Sequence, residues 1–186
     1  MTANQPKSSM TIAGDIDVTN TDYLISEEFE RIGKLGELLV GSLPRLAVLN
    51  SCGVYAISIP EEYRVEYRSA KDASAAGNVI SSWSRARLEG KWVEGAEIVY
   101  YGLAGSRSPR SLRRRLNDLL RHGRGDTTDR GPHKGGEILW QLLGYENFSL
   151  WASPTEDPPA PRQLEHQLLE NFHRHTGQLP YANRQF

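Results

Sequence analysis

Two helix-like stretches each carry a polar group where an apolar one is due. In residues 111–122, Leu112, Leu116, Leu119 and Leu120 fall on one stripe of a wheel turning about 100° per residue. Arg113 flanks one edge of that stripe. Arg115 and His122, seven residues apart, share the other, while Arg114, Asp118 and Arg121 face away. An arginine on such a border lays its stem on the core and aims its guanidinium along the protein surface, which suits a phosphate. In residues 162–175 the apolar face is Leu164, Leu168, Leu169 and Phe172; Glu165 falls inside it and Glu170 outside. An inward carboxylate is costly unless it is paired or binds a metal. A structural ion pair with one of the arginines satisfies the same pattern.

Charge is distributed unevenly around these residues. Between positions 105 and 134 nine basic side chains face three acidic ones, a net +6 in a chain whose total is −1. Such a concentration points to a polyanion on one face, although a solvated basic helix has the same composition. No 18-residue apolar run reads as a membrane span, and no basic, apolar, small-residue sequence reads as an export signal. The single cysteine, Cys52, has no partner for an internal disulfide and reads as a small core residue, so a cytoplasmic location is expected. Without a Cys-x-x-Cys a structural zinc is not expected, and His173 and His175 lie on different helix faces.

Several elements must position the candidates. Residues 1–22 are polar and read as a disordered tail, and residues 23–186 as one domain. Phe29, Ile32, Leu35 and Leu39 recur at helical spacing and predict a helix over 26–40. Apolar runs at 53–59 and 98–103, and alternation at 145–151, predict three strands. Helices are expected at 111–122, 137–143 and 162–175, with a Gly-rich polar loop over 123–136. The expected fold is α+β, a small central three-stranded, mainly antiparallel sheet flanked by helices.

Five motifs occur in order along these elements: Gly53-Val54-Tyr55, Tyr100-Tyr101-Gly102, the run Leu112 to Leu116 holding three arginines, Glu165 followed by Leu168 and Leu169, and Pro180-Tyr181-Ala182-Asn183. Together they resemble the GIY-YIG nuclease superfamily over roughly residues 50–186. The stretch Gly131 to Glu137 also looks like the His-x-Gly-Gly loop of some members. Four features depart from the pattern. Tyr55 and Tyr100 stand 45 residues apart, which makes residues 61–95 an insertion between the first two strands; Tyr101 replaces the usual isoleucine; Leu103 stands where a lysine often follows; and the spacing from Glu165 to Asn183 is longer than in repair-type members.

The resemblance implies an endonuclease that hydrolyses DNA phosphodiester bonds with Mg²⁺, or Mn²⁺. Glu165 would hold the ion, Arg115 a phosphate oxygen, Tyr55 the attacking water or its proton, and Tyr100 the phosphate or water; His122 would assist Tyr55 or contact the backbone. Nearby cations are expected to outweigh burial at Glu165 and leave it ionised at neutral pH. DNA contacts are expected from Arg113, Arg114, Arg121, His133 and Lys134, and from the insertion through Arg64, Arg68, Arg85, Arg87 and Lys91. Asn183, counted with the DNA contacts, would also tie the C-terminal tail to the site. A restriction-like or mobile-element enzyme fits a chain of this size. The other reading is a non-cleaving nucleic-acid-binding module that keeps the fold. A partner membrane is not expected, and monomer and homodimer both stay open.

Overall fold

The computed structural model describes residues 17–68, 83–126 and 136–186. A short helix α1 (Thr21–Ser26) leads into strand β1 (Glu30–Lys34) and helix α2 (Leu35–Val40). Strand β2 (Gly53–Ser58), helix α3 (Arg85–Glu89) and strand β3 (Ile98–Ala104) follow. Then come α4 (Leu112–Gly123), α5 (Gly136–Leu139), β4 (Ser149–Pro154) and α6 (Ala160–Thr176). The architecture is α+β, as expected, but the sheet has four strands in the order β1-β4-β2-β3, all antiparallel. No helix among the described residues is long and apolar enough to cross a membrane.

The fourth strand corrects the helix predicted over 26–40. Its residues Glu30–Lys34 bury only Ile32. Such a strand carries almost no alternation, and pairing with β4, not local pattern, defines it. The helical spacing of Phe29, Ile32, Leu35 and Leu39 spans a turn, the strand β1 and the helix α2, which holds the last two. The end of the expected polar tail also takes up defined structure. Residues 17–22 are placed, with Thr19 donating to Asp17 Oδ1 at 2.6 Å and Asn20 Oδ1 accepting from Tyr23 N at 3.2 Å as the α1 cap.

Alternation along β2 splits the core in two. Tyr55 and Ile57 join the α4 leucines in one cluster, whereas Val54 and Ala56 join Leu168, Leu169 and Phe172 of α6 in the other. Leu112, Leu116, Leu119 and Leu120 are fully buried, each contributing roughly 1.5–3 kcal/mol of apolar burial. The Ser111 hydroxyl caps α4 by accepting from Arg114 N at 3.4 Å, and Gly177, at φ 76°, ends α6. These two amphipathic helices carry the arginine and the glutamate, and the β2–β3 pair carries the tyrosines. Residues 69–82 of the insertion and the loop with His133 and Lys134 lie outside the described residues.

Candidate active site

Register places the two tyrosines. Tyr55 of β2 stands opposite Gly102 of β3, and Tyr100 lies two residues back on the same face. The Tyr55 ring therefore crosses over Gly102 to meet Tyr100, with ring centroids 5.8 Å apart at 57°. The glycine is needed for that crossing: a Cβ at Gly102 would stand 2.5 Å from the Tyr55 hydroxyl and 2.9 Å from the Tyr100 ring. Gly53 meets a different constraint, since a Cβ there would lie 2.2 Å from the Ser153 carbonyl oxygen of β4 and 2.9 Å from Leu112. The glycines of the two tyrosine motifs thus have separate jobs. One seats β4 and α4 against β2, and the other makes room for a phenol.

A stability test follows from that difference. Gly53→Ala collides with a backbone carbonyl in the sheet and is expected to prevent folding or to cost several kcal/mol. Gly102→Ala collides with a ring and is expected to cost about 1–3 kcal/mol, the usual range for an overpacked core. Urea denaturation of both variants checks the ranking. A Gly53→Ala protein more stable than Gly102→Ala would show that β4 can yield.

Arg115 and Glu165 complete the cluster from two other elements. Arg115, on α4, donates to the Tyr55 hydroxyl, and the Tyr100 hydroxyl donates to it as well. Arg115 Nε is buried without a hydrogen-bond partner among the described residues. Burial raises the Tyr55 pKa above the ordinary 10, while Arg115 and the bond from Tyr100 act against that rise and Glu165 adds to it. Tyr100 is driven well above 10, first by burial and then by Tyr55. Both phenols are held protonated, Tyr100 more firmly than Tyr55, at which Arg115 and Tyr100 offset part of the rise. Burial opposes the Arg115 charge, but Tyr55 and Tyr100 keep its pKa above the ordinary value.

Glu165 departs from expectation. Burial lifts its carboxyl from an ordinary 4.5 to about 7, against the opposing pull of Arg162 and Arg115. The cations do not win, because Arg115 is engaged with the phenols and Arg162 is exposed. Near pH 7 the group is therefore divided between its two protonation states. Together with Tyr100 it lines a cavity of about 790 Å³ that is walled also by Trp83, Arg87, Lys91 and Arg162. Among the described residues no three of His, Cys, Asp and Glu converge on one point. Glu165 is the one carboxylate side chain among the described residues lining that cavity.

The other predicted residues fall elsewhere. His122 is 3 % exposed, with neither ring nitrogen hydrogen-bonded among the described residues. Burial holds its pKa low and Glu137, not Tyr55, is its charged neighbour. Arg113 donates to the Leu43 and Pro44 carbonyls at 3.4 and 2.9 Å, and Arg121 pairs with Asp126 at 3.1 Å. Arg110 pairs with Asp118, and Arg124 donates to the carbonyls of Leu38, Leu39 and Gly41. Much of the +6 segment is thus satisfied internally, and of its helix arginines Arg114 is left exposed. Asn183 is 6 % exposed, and its side-chain amide pairs with both the N–H and the C=O of Tyr101 at 2.9 Å. It is a clamp between the tail and β3, not a surface contact for DNA.

No known protein family, curated protein or solved structure matches the chain. What the chain does has to be argued from the site itself. Arg162 and Trp83 belong to the cavity but not to the sequence motifs. The signal for Arg162 was its place one turn before Glu165; for Trp83 there was none.

Proposed function

We propose that the chain is an endonuclease of the GIY-YIG type, hydrolysing DNA phosphodiester bonds. A single observation carries this reading: Tyr55, Tyr100, Arg115 and Glu165, contributed by four elements, act on one another, and Tyr100 and Glu165 of the four line one cavity. A core needs neither a buried guanidinium against two phenols nor a half-buried carboxylate beside them, because each adds a desolvation penalty.

Hydrolysis of a phosphodiester requires an activated water, stabilisation of the charge gathered on phosphorus oxygens, and an exit for the leaving oxygen. Arg115 supplies fixed positive charge behind Tyr55 and Tyr100, toward a phosphate oxygen. Tyr55 orients the attacking water and takes its proton while Arg115 and Tyr100 stabilise the phenolate. Tyr100 keeps its own proton and acts as donor. Glu165 would hold Mg²⁺ or Mn²⁺, which when bound neutralises phosphate charge and assists the leaving oxygen.

The test uses purified protein and supercoiled plasmid, branched duplexes and single strands, with Mg²⁺ or Mn²⁺ and with a chelator. Nicking or cleavage that the chelator abolishes is the expected result. Binding without cleavage on every substrate would overturn the enzyme and leave the non-cleaving binding module.

A further inference from the structure

We propose that Arg87 and Lys91, both from the segment inserted between β2 and β3, join Arg162 to hold a second backbone phosphate of the polynucleotide in the cavity beside Glu165. The inference rests on the nuclease reading and gives the insertion a place in it.

The cavity is electrostatically one-sided. Four cationic side chains line it, namely Arg87, Lys91, Arg162 and Arg184, against one carboxylate side chain, that of Glu165. Arg184 is already paired with Glu137 at 3.0 Å. Arg87 and Lys91 have no acidic partner among the ion pairs of the described residues. Like charges gathered in a half-buried space repel, and an anion seated among them removes that repulsion. Burial, with Arg87 and Arg184 nearby, accordingly holds the Lys91 pKa below its ordinary value.

Both insertion cations are held in place and not left to sweep solvent. The Arg87 guanidinium lies 3.3 Å from the centre of the Trp83 ring, a stacked geometry that fixes its plane and leaves its edge donors for a phosphate. Trp83 is anchored in turn: its N–H donates to Gln141 Oε1 at 2.9 Å and its carbonyl accepts from Gln141 Nε2 at 3.1 Å. Lys91 Nζ donates to the Asn183 carbonyl at 2.6 Å, and Asn183 is itself clamped to Tyr101. An ammonium has three donors, so this bond sets its position and leaves two for a ligand. Cations pre-positioned in this way lose little entropy on binding. The volume of about 790 Å³ exceeds what one phosphate fills, and Arg115, which takes the reacting phosphate, is not among the residues lining it.

The experiment measures binding of a duplex oligonucleotide in the Glu165→Gln background, as a function of salt. Arg87→Ala and Lys91→Ala are each expected to weaken binding about 5- to 20-fold and to lower the slope of log K against log salt by about 1. Arg45→Ala removes an exposed charge that does not line the cavity and serves as the charge-matched control. One neutral methylphosphonate placed along the strand locates the subsite: at a single position beside the cleaved bond it should weaken the parent protein and add nothing to Arg87→Ala. Arg87 is exposed, so its truncation leaves the core intact, and Lys91→Arg should recover the slope if charge is what Lys91 provides. Slopes for Arg87→Ala and Lys91→Ala no different from Arg45→Ala, in a protein that still cuts DNA, overturn this subsite alone. A parent protein that neither binds nor cuts overturns the nuclease reading and the subsite with it.

Discussion

A Glu165→Gln protein is expected to lose cleavage, keep its nucleic-acid affinity and become more stable above neutral pH. The substitution keeps the shape and removes the charge. If the ion is held there, several kcal/mol of charge stabilisation go with it, on the order of a 10³-fold or greater loss of rate. Stability moves the other way. The folded carboxyl titrates near 7 and the unfolded one near 4.5, so between these values the folded protein retains a proton that the unfolded chain has released. Stability therefore falls as pH rises through that window, with no penalty below it and the full penalty above. Partial solvent exposure keeps the penalty to about 2–3 kcal/mol. Glu165→Gln should recover that amount at pH 8 without metal and almost nothing at pH 4.5. Glu170→Gln, on the exposed side of the helix, should cut normally. Denaturant unfolding at the two pH values, beside a nicking assay, reads both effects. A Glu165→Gln enzyme cutting near the parent rate would remove Glu165 from the mechanism.

Arg115→Ala and Arg114→Ala are neighbours in sequence with opposite expected outcomes. Arg115 donates to Tyr55 and holds positive charge beside both phenols, so its loss removes charge stabilisation at the phosphate and raises the Tyr55 pKa further. A loss of about 10²–10³-fold in kcat with little change in affinity is expected. Arg115→Lys should recover little, since a point charge lacks the planar donor fork. Arg114 is exposed, and its loss should weaken binding only, in proportion to salt. Single-turnover kinetics with separate binding curves distinguish the two. Equal losses in both variants would mean that Arg115 acts as one more surface charge.

Much of the site was legible in the residues because it rests on local periodicity. The helix wheel separated Arg115 from Arg114, and Glu165 from Glu170, since each helix buries one stripe and a border or interior polar residue stands out. The central strands were legible for the same reason, as uninterrupted apolar runs. What was not legible depends on long-range pairing. β1 exists because β4 pairs with it, and its own pattern of one buried residue in five contains no instruction. The protonation of Glu165 depends on how far Arg115 is already committed to the phenols, a geometric matter. The basic segment misled in the other direction: charge composition cannot distinguish an arginine facing a ligand from one capping a helix, as Arg124 caps α2.

The Asn183 clamp bears on whether the protein stays dispersed. β3 is an outer strand of the sheet, and its sequence Ile-Val-Tyr-Tyr-Gly-Leu holds no charge and no proline. A strand of that kind, with its outward backbone groups unpaired, is a template on which a second chain can add. The tail closes it. Ala182 N donates to the Val99 carbonyl at 2.8 Å, and the Asn183 amide answers both polar groups of Tyr101 as a neighbouring strand would. The opposite outer strand, β1, displays Glu30, Arg31 and Lys34, whose charges discourage stacking of copies. A sheet this small therefore guards its two rims by different means, charge on one side and a side-chain plug on the other, and the plugged rim is the one that carries Tyr100.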